Sequence, residues 1–143
     1  MSGLTQRNQA GQSGLVAAKV DFQRFATAGS PTWTKPGGVS IVWIECIGAG
    51  GSGGAQDTAS GGGGGGGAFA WACFSADALP ATLDVIVGAA DNGSSGSQGV
   101  AGGHSQVDIP SGETEAGKVI LIAYGGGGGA RDTSSASGGG GGG

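Results

Sequence analysis

Charged and reactive side chains are scarce in this chain of 143 residues. Only 11% of the residues are charged, and the chain has one histidine, His104, and two cysteines, Cys46 and Cys73. These residues do not show the ligand spacing of a zinc site. His104 cannot form a triad with Ser105 and Asp108, because neighbouring residues of a strand alternate between faces. We therefore expect a structural or surface histidine and a non-enzymatic protein with no catalytic residue, metal or cofactor.

Basic patches and long apolar runs are also missing. The formal net charge is −4 and the acidic residues are scattered, which argues against nucleic acid or an anionic membrane surface as a partner. No run of about 18 apolar residues could insert into a membrane, and the N-terminus lacks the apolar core of a signal peptide. We expect synthesis in the cytosol, where reducing conditions would keep Cys46 and Cys73 as buried free thiols.

Glycine, in contrast, is abundant: the chain has 37 glycines, whereas average usage is about 7%. Apolar residues are nevertheless gathered into short clusters, which a wholly disordered chain would lack. Residues 1–20 are polar and without periodicity, and we interpret them as an N-terminal arm or attachment segment. Residues 21–143 are predicted to form one glycine-rich β domain.

Alternating apolar patterns predict strands, and no stretch shows helical periodicity. The predicted fold is a small all-β, antiparallel, sandwich-like domain with glycine-rich loops. Strand 39–47 is apolar on both faces, which predicts a central strand buried on both sides. Turns are expected at Pro36 and at Asn92-Gly93. The predicted strands are 39–47, 68–75, 81–87, 105–109 and 118–124, and a strand end is expected in "SPTWT".

Three tryptophans allow two interpretations. Exposed aromatic rings can form a platform for carbohydrate, whereas rings in the middle of apolar strands usually pack in a core. Trp43 and Trp71 lie mid-strand among apolar neighbours, so we predict that both are core residues. Trp33, beside the Pro36 turn, stays open between the two roles.

A unit of similar sequence occurs twice. Residues 55–67 read "AQDTASGGGGGGG" and residues 130–143 read "ARDTSSASGGGGGG". Each follows a strand and a first glycine cluster, so the unit is strand, glycines, polar tip and glycine run. The first run returns into a strand, whereas the second stops at Gly143. We therefore expect either that the chain continues or that the last run packs against another subunit.

The glycine runs can be flexible tethers or ordered building elements. A tether joins domains, but these runs are tied to strands within one domain, where long structureless loops are uncommon. We favour extended segments of the polyglycine II type, packed closely because they lack side chains, with an oligomer supplying enough of them. A dinucleotide fingerprint, Gly48-x-Gly50-x-x-Gly53, is rejected because the glycine-rich residues that follow cannot form its helix. The proposed structural glycines include Gly61, Gly64, Gly67, Gly125, Gly129 and Gly138.

The stretch "FATAGSPTWTKPGGVSIVWIECIGAGGSGG" and the later "ATLDVIVGAADNG", "GGHSQV" and "IAYGGGGGA" resemble the glycine-rich domain of tailed-bacteriophage and prophage tail fibre proteins. The resemblance covers about residues 22–143. It departs from the family pattern at Ala89 and Ala90, where a glycine is expected. It implies a virion structural protein at the host-contacting end of the tail, often a homotrimer.

On this resemblance, the arm 1–20 would bind other tail proteins, and the two tips would contact either the host surface, through a glycan or outer-membrane protein, or neighbouring chains. The candidate tip residues are Gln56, Asp57, Thr58, Arg131, Asp132 and Thr133. Two alternatives stay open. One is another virion component, such as a head fibre or decoration protein. The other is a free binding protein, such as an ice-binding polyglycine bundle.

Overall fold

Two antiparallel sheets form the framework of the protein in a computed structural model that describes residues 20–55, 61–93 and 96–131. A four-stranded sheet has the order β1-β4-β5-β6, and β2 pairs with β3 in a separate two-stranded sheet. The strands are β1 (Thr32–Thr34), β2 (Ile41–Ile47), β3 (Phe69–Ser75), β4 (Thr82–Ile86), β5 (Ser105–Asp108) and β6 (Val119–Ala123), and one 3₁₀ turn spans Ala76–Ala78. The predicted all-β class is confirmed.

The core lies between the two sheets, since β2 and β3 pack against β5 and β6. Leu83 on β4 is 1% exposed, and Val107 on β5 and Ala123 on β6 are also buried. Cys46 on β2 and Leu79, just after the 3₁₀ turn, complete the buried cluster. Apolar residues at alternate strand positions therefore meet in one layer, as a sandwich requires.

The prediction that β2 is buried on both faces is wrong. Its inward residues Val42 and Ile44 pack on the core, but Ile41, Trp43 and Ile47 are more than half exposed. β2 pairs only with β3, and no described element forms a third layer over the outer face. The core assignment of Trp43 and Trp71 is wrong for the same reason.

Residues around the Pro36 turn connect β1 to the core by side-chain packing and hydrogen bonds. Trp33 is partly buried and packs against the buried cluster, which favours its core interpretation. Gly38 takes a φ of +78°, as the predicted turn requires. Lys35 donates from Nζ to the carbonyls of Ala76 and Leu79, at 2.9 and 2.7 Å. These bonds hold the 3₁₀ turn against the loop.

Several strands continue directly into glycine-rich segments. Segment I (48–55) follows β2, and segment II (61–68) leads into β3. Segment III (97–103) precedes β5, and segment IV (124–130) follows β6. The ladder register carries over: Ile47 pairs with Phe69 in the β2–β3 sheet, and the next amide donates to the carbonyl of Ala68. The sheets therefore set the alignment of the glycine segments.

Candidate functional site

Hydrogen bonds between segments I and II recur at every third residue. In segment I the amides of residues 48, 51 and 54 donate to the carbonyls of residues 68, 65 and 62, at 2.9, 2.9 and 2.8 Å. A polyproline II helix has three residues per turn, so every third residue faces the same neighbour. The pattern is therefore that of two antiparallel polyglycine II helices rather than of a β ladder.

The same period links all four segments. Segment II donates to segment IV (62 to 130, 65 to 127, 68 to 124), and segment III donates to segment IV (99 to 129, 102 to 126). Segment I donates to segment III (49 to 103, 52 to 100, 55 to 97), and segment IV donates to segment I (126 to 49, 129 to 52). Segments I and IV thus run parallel at the centre, and II and III are antiparallel to both. We call these four segments the glycine bundle.

Close approach of backbones explains why so many positions are glycine. A Cβ added at Gly64 would overlap the carbonyl of Gly51, and one at Gly129 would overlap that of Gly62. No side chain fits where two backbones touch in this way. Overlaps of this kind involve Gly48, Gly51, Gly54, Gly61, Gly64, Gly67, Gly99, Gly102, Gly125, Gly126, Gly128 and Gly129.

Five of the six structural glycines proposed from the sequence lie in the glycine bundle. Gly61, Gly64, Gly67, Gly125 and Gly129 all lie at these close contacts. Gly138 lies outside the described residues. One expectation needs correction: an oligomer is not required to supply the packed segments, because a single chain contributes four that bond to one another.

Segment III was not predicted from the sequence, because the repeated unit includes only the runs 55–67 and 130–143 and the glycine cluster before each. It contains Val100 and other residues with side chains, so it does not look like a glycine run. Gly96, Gly99 and Gly102 recur at every third position, and a Cβ at Gly99 or Gly102 would overlap a carbonyl of segment I. A three-residue glycine period, as in collagen, was the available signal.

Ser52 adds a side-chain contact to the bundle. Its Oγ accepts a 2.8 Å hydrogen bond from the amide of Val100, and its own amide donates to the carbonyl of Val100. Ser52 is itself buried. Segments I and III are therefore joined at this point by both backbone and side chain.

We expect Ser52→Ala to lower the free energy of unfolding by about 1–2 kcal/mol, because the amide of Val100 would lose its acceptor. Equilibrium unfolding in urea measures the change. Ser111→Ala, at an exposed loop position, is the control and should shift the midpoint little. Equal effects of the two variants would contradict the role of the Ser52 hydroxyl.

Both predicted tips begin at the end of the glycine bundle that lies far from the sheets, the first at Ala55 and the second at Ala130. The amide of Ala55 donates to the carbonyl of Ser97, and that of Gly62 donates to the carbonyl of Ala130, each at 2.9 Å. Arg131 follows and is exposed. The other tip residues, Gln56, Asp57, Thr58, Asp132 and Thr133, lie outside the described residues.

The candidate catalytic, metal and nucleotide residues of the sequence are not arranged as a site among the described residues. His104 is exposed, and the Oγ of Ser105 accepts a 3.0 Å hydrogen bond from the amide of Gly88. Within ranges 20–55, 61–93 and 96–131, no group of three or more His, Cys, Asp or Glu side chains could hold a metal. In the same ranges no helix has the length and apolar character needed to cross a membrane. Gly48, Gly50 and Gly53 lie in extended segment I, without the helix of a dinucleotide site.

The two cysteines differ in environment. Cys46 is a buried free thiol, as expected, whereas Cys73 is free but exposed, so its predicted burial is wrong. Burial raises the pKa of the Cys46 thiol above its ordinary value, because a buried thiolate would lose its solvation. Cys46 is therefore the less reactive of the two.

Comparison with known proteins identifies the domain type. A family model described as a glycine-rich domain matches residues 26–143. No curated protein and no solved structure shows significant similarity to the chain. The match includes all six strands and the glycine bundle. The chain belongs to the glycine-rich domain family.

Proposed function

We propose that this protein is a non-enzymatic structural component of a tailed-bacteriophage virion, in a tail fibre or fibre tip, and that it presents loops for attachment to the host surface. The observation that supports this role most strongly is the layout of the glycine bundle. It begins at the β sheets and ends where the bases of both polar tips meet. A scaffold with loops at one end suits a protein that must contact a target at a distance.

The bundle has physical properties that suit such a scaffold. A polyproline II helix rises about 3.1 Å per residue, so segment I alone extends about 25 Å. Each segment is hydrogen-bonded to at least two others, which resists bending. The glycine contacts described above join segments I to IV, so we expect that tip sequences can vary without loss of the scaffold.

The remaining parts of the chain have roles in this proposal. The arm 1–20 attaches to other virion tail proteins, and several copies, a trimer by the resemblance, form the fibre. The tips contact a surface glycan or an outer-membrane protein of the host. A head-fibre or decoration role uses the same scaffold at another place on the virion, and antibody labelling of virions by electron microscopy distinguishes the two locations.

Replacement of the tip carboxylates tests the attachment role. In virions that carry the chain, we expect Asp57→Ala with Asp132→Ala to reduce the adsorption rate about tenfold, because the loss of two charges at a contact surface slows association. The yield and morphology of particles should not change. Asp77→Ala, an exposed acid of the 3₁₀ turn in the β sandwich, is the matched control.

Two outcomes would contradict the proposal. Unaltered adsorption of the double variant argues against attachment through the tips. Thermal hysteresis of the purified protein, with no labelling of virions, favours a free ice-binding protein instead.

A further inference from the structure

The outer face of the β2–β3 sheet carries a large apolar surface. We call it the hairpin face and define it by the outward side chains of both strands. Its large members are Ile41 (67% exposed), Trp43 (57%), Ile47 (67%), Phe69 (57%) and Trp71 (56%), and its others are Glu45, Cys73 and Ser75. Isolated exposed apolar residues are ordinary, but a contiguous group of five marks an interaction site.

The centre of the hairpin face is rigid. The rings of Trp43 and Trp71 stack with centroids 4.6 Å apart and planes 7° from parallel. Nε1 of Trp43 donates a 2.9 Å hydrogen bond to Oε1 of Glu45. The indole of Trp43 thus has its polar atom satisfied within the chain and presents a fixed apolar surface outward. Little side-chain entropy would be lost if another surface covered it.

We propose that the hairpin face is the interface through which copies of this chain associate. From their exposed fractions, the five large side chains offer roughly 600 Å² together, since an aromatic side chain has about 150–250 Å². A stable protein interface buries about 800 Å² per partner. The five side chains thus supply most of that area. Glu45 lies opposite Trp71, Cys73 opposite Trp43 and Ser75 opposite Ile41 in the strand register, and they add to it.

The chemistry of the hairpin face favours a protein partner over the alternatives. Carbohydrate sites need several polar groups to orient hydroxyls, but here Glu45 already accepts from Trp43 and Ser75 is the only hydroxyl. Anionic membranes attract Lys and Arg, and neither occurs on this face. A second copy offers an apolar surface of matching size. This inference concerns association alone and does not depend on the virion role.

The two free thiols allow a direct test with the full chain. Cys73 lies on the hairpin face and reports its coverage, whereas buried Cys46 reports whether the protein stays folded. We expect the native chain to form oligomers in sedimentation velocity between about 1 and 100 μM, the range of moderate affinities. Labelling of Cys73 by a thiol reagent, followed by mass spectrometry, should slow as concentration rises.

Ile47→Lys places a charge on the hairpin face and should weaken association about 100-fold, as expected for a buried unpaired charge at an interface. Cys73 should then label rapidly at all concentrations while Cys46 stays unlabelled. Val119→Lys, an exposed position on β6 of the other sheet, is the control and should associate like the native chain. A second variant, Trp71→Glu, places a charge of the opposite sign on the hairpin face. It should weaken association as Ile47→Lys does, and unlabelled Cys46 shows that each variant is folded.

Three results would overturn the proposal. The first is a native chain that stays monomeric at about 100 μM, the upper end of the tested range, with Cys73 fully reactive. The second is association that neither Ile47→Lys nor Trp71→Glu weakens, which places the interface elsewhere. The third is protection of Cys73 at every concentration in a monomer, which means that another part of the same chain covers the face.

Discussion

Gly64→Ala is expected to lower the free energy of unfolding by about 3–5 kcal/mol, combining overpacking with lost hydrogen bonds. A Cβ at this position would overlap the carbonyl of Gly51, so segments I and II would have to separate. The bond from Gly51 to Gly65 and the neighbouring bond from Gly65 to Gly127 would stretch or break. Domains of this size are stable by only about 5–15 kcal/mol, so this single methyl group would remove a large part of the stability.

Gly63→Ala is the matched control, one residue away in the same run. A Cβ there would meet no atom within 4 Å, and the backbone is outside the left-handed region. Alanine also restricts the unfolded chain, so we expect a gain of about 0.4–1 kcal/mol. Urea unfolding of both variants measures the difference. Similar small effects at the two positions would mean that segments I and II are not packed against each other.

The strands could be predicted closely because their sequence signals are local. The prediction 39–47 corresponds to Ile41–Ile47, and 118–124 corresponds to Val119–Ala123. A strand is recognised by alternating apolar residues and by the glycines at its ends, and both signals lie within the strand or next to it. Element limits and the all-β class therefore follow from the sequence alone.

The exposure of β2 could not be predicted from its sequence. Val42 and Ile44 face the core while Ile41 and Trp43 face outward, yet both sets are equally apolar. A strand that is apolar on both faces indicates that both faces are buried. It does not indicate whether the same chain or another molecule packs on the second face. Only the arrangement of the sheets shows that the outer face of β2 is open.

The glycine bundle was predictable in kind but not in composition. Long runs such as 61–67 indicated packing of segments without side chains. The repeated unit also predicted that a strand changes into a glycine segment near residues 48 and 125. Segment III joins segments I and IV although only three of its seven residues, Gly99, Gly102 and Gly103, are glycine. Which segments become neighbours is set by the β ladders that precede them, and this pairing is a long-range property. Of the candidate tip residues, the described structure includes only Arg131.

Amide exchange should show a three-residue period along segment II. The amides of Gly62 and Gly65 donate to segment IV, and both residues are buried. Gly63 and Gly66 are exposed, and their amides have no backbone partner among the described residues. We expect Gly62 and Gly65 to exchange about 100-fold more slowly than Gly63 and Gly66, which corresponds to an opening free energy of about 3 kcal/mol.

A β strand and a flexible tether give different exchange patterns, so this measurement separates the three structures. A paired strand at the edge of a sheet alternates with a period of two, and a solvated tether exchanges fast at every residue. Segment I supplies an internal comparison, because two of every three of its amides donate hydrogen bonds, at 48, 49, 51, 52, 54 and 55. Its slow amides should therefore be twice as frequent as those of segment II. Fast exchange throughout 61–67 would show that the glycines connect the strands without packing, and the scaffold proposed for the tips would lose its physical basis.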